Sequence, residues 1–194
     1  MRGVLSVGGS VPPSLAWRII CVTQINIPAR AIPVNPDKTL RYGPGMKITD
    51  LDPGDPRLEN DLLPVLRELR PHLTPELFRE VYEAGHPQGL RFSAAYGDDG
   101  RCVGAAGWRI INNTSSLRKL YVDDLVTAAA VRSTGVGHAL IAHLEGHARA
   151  AGCHELNLDS GTHRTGAHRF YLRERFDIVA FHFTRPLTAP EDAS

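Results

Sequence analysis

The chain has 194 residues, 42% hydrophobic and 22% charged, with a formal net charge of +1: enough for one domain to bury a core unaided, and too little charge to mark a nucleic-acid or membrane partner. Three widely spaced cysteines (Cys21, Cys102, Cys153) with no Cys-x-x-Cys argue against a disulfide framework and a zinc ribbon and favour a reducing interior such as the cytoplasm. No apolar run reaches the roughly 18–20 residues of a membrane span, and glycines and prolines between positions 8 and 13 break up any secretory signal.

Residues 1–45 carry prolines at 12, 13, 28, 33, 36 and 44 and only short apolar pieces. Such a stretch has little surface to bury against its ordering entropy, so a disordered or loosely docked extension is expected, with a short strand at 17–23 as the runner-up. The folded domain is expected over 46–187, with a flexible tail at 188–194. Met46 opens a first strand. Leu58, Leu62, Leu63, Leu66 and Leu69 then recur at helical spacing, with Pro64 predicting a kink or a late start and Pro71 a stop. Thr74-Pro75-Glu76 reads as an N-cap with proline at N1, and Gly85 and Pro87 end the second helix. Two apolar segments joined by Gly97-Asp98-Asp99-Gly100 predict a β-hairpin. A polar turn at 112–116 leads into a further strand. Val136, Leu140, Ile141, Leu144 and Ala148 make one face of a long helix that Gly152 terminates. A strand at 153–159, a helix from about 165 to 175 and a last apolar strand at 176–184 complete the domain. This order is α/β (α+β), with a sheet antiparallel early and parallel late.

Everything is organised around 120–137, where the strand Leu-Tyr-Val-Asp-Asp-Leu-Val-Thr breaks into Arg132-Ser133-Thr134-Gly135-Val136-Gly137 and opens a helix. Glycines let backbone N–H groups approach a ligand, the helix N-terminus adds partial positive charge, and Arg132 adds a cation, so the junction suits a phosphate. Taken alone the hexapeptide is more often an ordinary strand-to-helix turn. No Gly-x-Gly-x-x-Gly follows an early strand, which disfavours a dinucleotide fold.

The strand, Arg132-x-x-Gly135-x-Gly137 at a helix start, the next strand, and then Ala167-His-Arg-Phe170-Tyr171-Leu-Arg-Glu-Arg-Phe176 together resemble the GNAT superfamily of acetyl-CoA-dependent N-acetyltransferases over about residues 46–186. Departures from its pattern are Arg175 where glycine is usual, Ala129 where proline is common, and Arg164 or Thr165 in place of an asparagine. The resemblance implies a mixed, mostly antiparallel sheet with a splayed central strand pair flanked by helices. It implies that pantetheine pairs with the backbone of Leu125, Val126 and Thr127. The pyrophosphate would be held by Arg132, Ser133, Thr134, Gly135, Val136 and Gly137 and by the helix start at His138 and Ala139. Acetyl-CoA is the expected co-substrate, with no metal.

The resemblance further implies direct attack of an amine in a ternary complex. Tyr171 would protonate the departing thiolate, Asp123 would help deprotonate the amine, Asp124 would hold a cationic acceptor, and an N–H near Val126 would stabilise the oxyanion. A phenol near pKa ~10 is protonated at neutral pH and able to donate. Neighbouring strand residues face opposite sides, so Asp123 and Asp124 share a cleft only if a bulge intervenes. Trp108 is a candidate for the acceptor pocket, against a core role. His143 and His147 have metal-capable spacing, but Glu145 is misplaced for His-Glu-x-x-His, and a solvated helix face is the expected reading. Asn157, Asp159, His163 and His168 are open between cleft and surface, and Cys153 is expected in the core. The expected acceptor is a small-molecule primary amine, the ending of the chain being similar to members acting on aminoalkyl compounds. Peptide acetylation and a non-catalytic acyl-CoA-binding module are the alternatives, and a homodimer is one option for assembly.

Overall fold

The computed structural model describes residues 39–42 and 45–187. Among the described residues six strands form one sheet in chain order: β1 (Thr39–Tyr42), β2 (Met46–Leu51), β3 (Arg91–Tyr96), β4 (Cys102–Asn113), β5 (Leu117–Thr127) and β6 (Glu155–Leu158). The turns at 97–100 and 114–116 are too short for anything but antiparallel pairing of β3 with β4 and β4 with β5. β6 is reached through a helical crossover and lies parallel to β5.

Each face of the sheet buries its own apolar cluster. On one face, Leu51, Phe92, Ala94, Ala105 and Val126 meet a π-helical turn (Leu58–Leu62), α1 (Leu63–Leu66) and α2 (Pro75–Gly85). On the other, Ile48, Ala95, Ala106, Trp108, Leu120 and Val122 meet α3 (Val136–Ala150). The five apolar residues expected on the inner face of α3 are all buried. Leu120, Leu140 and Leu144 are fully enclosed, each such side chain being worth about 1.5–3 kcal/mol of burial.

Local signals act where the sequence places them. Thr74 Oγ1 accepts a 3.2 Å hydrogen bond from the Leu77 amide, with Pro75 in the first turn of α2. Gly152 takes the left-handed conformation (φ +67°) just past α3. Ahead of Pro64 the chain widens into the π turn, the Leu63 amide donating to the Leu58 carbonyl, which accommodates a ring that an α-helix interior excludes.

Three expectations change. Thr39–Tyr42, read as part of the extension, pairs antiparallel with β2; the remainder of that reading, the runner-up strand at 17–23 included, lies outside the described residues, as does the tail at 188–194. The last strand expected at 176–184 does not form, and Ile178, Val179, Phe181 and Phe183 are exposed. Their alternation suits a strand, but a strand exists only with a partner, and among the described residues β6 is matched on its β5 side alone. Last, His143 is not on a solvated face of α3: it is buried, at 2% exposure.

Candidate active site

β5 and β6 pair only from Lys119↔Glu155 to Val122↔Leu158, whereas β5 runs on to Thr127. Beyond Val122 the two strands part, leaving the β6-facing side of the Asp123–Thr127 backbone without β6 as partner. At the same point the register against β4 slips: Gly107 faces Asp124, Trp108 faces Val122, and Asp123 is the extra residue of a β-bulge. The bulge cancels strand alternation, so Asp123 and Asp124 both line one cleft, of about 340 Å³, on the α1/α2 face of the sheet. Gly107 is what lets the opposing strand come close, because a Cβ there would lie 2.9 Å from Phe92 and 3.3 Å from Asp124 Oδ2.

Both carboxylates are met by guanidinium groups. Arg109 Nε donates to Asp123 Oδ2 at 2.8 Å, and Arg70 Nε to Asp124 Oδ1 at 2.8 Å. Burial raises the pKa of Asp123 above the usual carboxylate range, with Arg109 acting against the shift. Nothing in the local sequence marks these arginines as partners; Arg70 is 54 positions from Asp124 and on a different element.

The turn after β5 is shaped as the glycine pattern requires. Gly135 is left-handed (φ +93°) and caps α3 through its backbone, no side chain filling the position. The first intrahelical amide bond of α3 is Ala139 to the Gly135 carbonyl, so the amides of Val136, Gly137 and His138 precede the helical ladder and aim along its axis. Ser133 also has positive φ (+66°), and Thr134 Oγ1 donates to the Val131 carbonyl at 2.7 Å. Glu68 fixes the turn from the α1 side, accepting from the Ala129 amide at 2.9 Å with Arg132 Nη2 at 3.7 Å.

The helix α4 (Thr165–Arg173) is held against this turn. A Cβ on Gly137 would lie 3.0 Å from Phe170 Cζ, so the second signature glycine has a packing reason for being small. His138 Nδ1 and Glu174 Oε2 are 2.7 Å apart. Tyr171 follows Phe170, packs on Phe176 at 5.8 Å between ring centroids, and has its pKa raised by burial. That ring contact belongs to a helix-ending motif: the Phe176 amide donates to the Tyr171 carbonyl, the Arg175 amide to the Leu172 carbonyl, and Arg175 sits between them with φ +66°. Position 175 is therefore left-handed, the physical reason glycine suits it. Arg175→Gly is expected to raise stability by about 1 kcal/mol in a denaturant titration.

Trp108 is not in the cleft. It lies on the α3 face, 5% exposed, its indole N–H donating to Ser93 Oγ at 3.0 Å and its ring stacked on His147 at 4.7 Å. Asp50 joins His143 and His147 there; burial pushes its carboxyl up, but hydrogen bonds with the two imidazoles outweigh that and hold it well below the usual range. Asp159 accepts a 2.7 Å hydrogen bond from the cleft residue Tyr121. Asn157 is bound to Glu155 through Nδ2 while its Oδ1 is buried with no hydrogen-bond partner. His163 is exposed, His168 Nε2 lies 2.9 Å from the Gly161 carbonyl, and Cys153 is half-buried against the α3-side cluster.

The acetyltransferase (GNAT) family profile matches residues 56–176, more than half the chain and all of the elements just described from α1 to α4. The chain belongs to the GNAT family. It is 41% identical over 69 residues to an uncharacterized N-acetyltransferase of Bacillus subtilis, a match covering 35% of this chain and 49% of the relative. It is 38% identical over 66 residues to an aminoalkylphosphonate N-acetyltransferase of Salmonella typhimurium, covering 34% of this chain and 43% of the relative. The chain thus matches under half the length of either curated relative. Among solved structures, an aminoglycoside N-acetyltransferase in complex with CoA superposes with a TM-score of 0.65 at 20% identity, covering 77% of this chain and 99% of the other. Glucosamine-6-phosphate N-acetyltransferase from Arabidopsis thaliana superposes with a TM-score of 0.58 at 16% identity, covering 74% and 99%. At these identities the likeness is one of fold. Among the described residues no helix is long and apolar enough to cross a membrane.

Proposed function

We propose that this protein transfers the acetyl group of acetyl-CoA to a primary amine of a small molecule, by direct attack in a ternary complex. The observation that carries the reading is the convergence of an open strand edge, an N-terminal amide nest and two bulge-aligned carboxylates on one stretch of chain. The edge at Leu125–Val126–Thr127 suits the amide-bearing pantetheine arm, bound as an added strand. The turn from Arg132 to Ala139 suits the pyrophosphate. Asp123 takes the role of base, Tyr171 that of acid toward the thiolate, and a Val126 amide that of oxyanion donor.

The two arginines narrow the acceptor. Two guanidinium groups balance two carboxylates around the cleft, so a polycation meets no net negative field. An ammonium that takes up Asp124 releases Arg70, whose side chain is 44% exposed and is then free to bind an anion on the same molecule. The acceptor class that satisfies both is an amine bearing a phosphonate, phosphate or carboxylate a few bonds away. The Salmonella relative, named for aminoalkylphosphonates, supports the same class. An acceptor panel read by thiol release tests this: kcat/KM is expected to be at least about tenfold higher for an aminoalkylphosphonate than for spermidine, with Arg70→Ala abolishing the difference through KM. A preference for spermidine or for a peptide N-terminus contradicts it.

A further inference from the structure

We propose that Asp50, His143 and His147 bind one divalent first-row cation of the zinc class, on the opposite face of the sheet from the acyl-transfer cleft. His143 Nε2 lies 2.8 Å from Asp50 Oδ1, His147 Nε2 lies 2.9 Å from Asp50 Oδ2, and the two imidazole nitrogens are 3.1 Å apart. One ligand comes from β2 and two from α3, four residues apart and therefore on one helix face.

Proton counting favours a cation at the centre. An ionised carboxylate only accepts. If both Nε2 atoms carry hydrogen, each contact to Asp50 is attractive, but the two N–H groups confront each other at 3.1 Å. If one is bare, it donates nothing to the carboxylate oxygen beside it, and lone pairs face each other there. With Asp50 ionised, no placement of protons on the two imidazoles makes all three contacts attractive, whereas a cation draws all three lone pairs inward. Zinc bonds of about 2.0–2.1 Å set tetrahedral ligand–ligand edges of about 3.3 Å, so the triangle needs to open by only a few tenths of an ångström.

The surroundings are those of a built site. Ser93 Oγ, fully buried, donates to Asp50 Oδ1 at 2.6 Å, and Trp108 Nε1 donates to Ser93 Oγ, which orients the carboxylate. The Trp108 ring stacks on His147 and fixes its plane. His143 is closed off at 2% side-chain exposure while Asp50 and His147 keep 22% and 28%, leaving a way in and a position for a fourth ligand. Two imidazoles and one carboxylate select zinc, cobalt or nickel over magnesium and calcium. The bound ion would clamp α3 to β2.

The test is titration of the full-length chain, stripped with a chelator, with Co(II) followed by visible absorbance, and then displacement by Zn(II). One equivalent per chain with the bands of low-coordinate cobalt is expected, together with a rise in Tm on adding zinc. His147→Gln is expected to lose at least about 100-fold in affinity and the Tm response, and Ser93→Ala about tenfold. Absence of stoichiometric uptake by the stripped wild-type chain, or uptake unchanged in His147→Gln, would overturn the proposal and leave the triad a hydrogen-bonded latch.

Discussion

Replacing Tyr171 with Phe is expected to lower kcat by about 10²-fold while leaving the dissociation constant for acetyl-CoA within about twofold of wild type. The substitution removes one hydroxyl and keeps the ring that packs on Phe170 and Phe176, so α4 keeps its place against Gly137 and the amide nest is untouched. Burial raises the pKa of the phenol, and a raised pKa holds the proton on the acid to higher pH. The alkaline limb of activity is therefore expected above the ordinary tyrosine value of about 10, and to vanish in Tyr171→Phe. Single-turnover and equilibrium binding measurements separate the two effects. Unchanged turnover would remove Tyr171 from the chemistry and leave it a packing residue.

The second large effect is expected at Asp123. Asp123→Asn should lower kcat/KM by about 10²-fold, because the amide keeps the shape of the bulge but cannot accept the proton. A base works only when ionised, so wild-type activity should fall as pH drops through the pKa of Asp123. Burial places that pKa above the usual aspartate value near 3.9, and the acid limb should lie correspondingly high and be lost in the variant. Asp124→Asn, by contrast, is expected to act mainly on KM, since Asp124 is engaged by Arg70, whose side chain is 44% exposed. Equal losses of kcat in both variants would contradict the division of roles.

Much of this arrangement was legible in the chain itself, wherever a local rule suffices. The Thr74 cap, the hairpin at 97–100 and the inner face of α3 each follow from a few neighbouring residues. The shared orientation of Asp123 and Asp124 was not readable, because a bulge is a property of two strands in register and Gly107 lies 17 positions from Asp124. Trp108 was equally undecidable: residues 104–108 of β4 are buried on both faces, so alternation carries no sign of which face holds the cleft. His143 did carry a signal, lying three residues after Leu140 and beside Leu144 on the buried face of α3, and its identity as histidine masked it. The missing last strand marks the opposite limit. Alternation at Val179, Phe181 and Phe183 states a preference that only a pairing partner can satisfy.

In the function proposed above, one stretch of chain, from the bulge at Asp123 to the amides at the start of α3, binds acetyl-CoA and delivers its acetyl group to an amine. The most direct measurement is thiol release from acetyl-CoA by the purified chain, with and without an aminoalkylphosphonate, alongside mass measurement of the amine product. Release that depends on the amine and matches one acetylated product per thiol is expected. Saturable acetyl-CoA binding with no amine-dependent release across the acceptor panel would contradict it, and would mark the chain as an acyl-CoA-binding module instead.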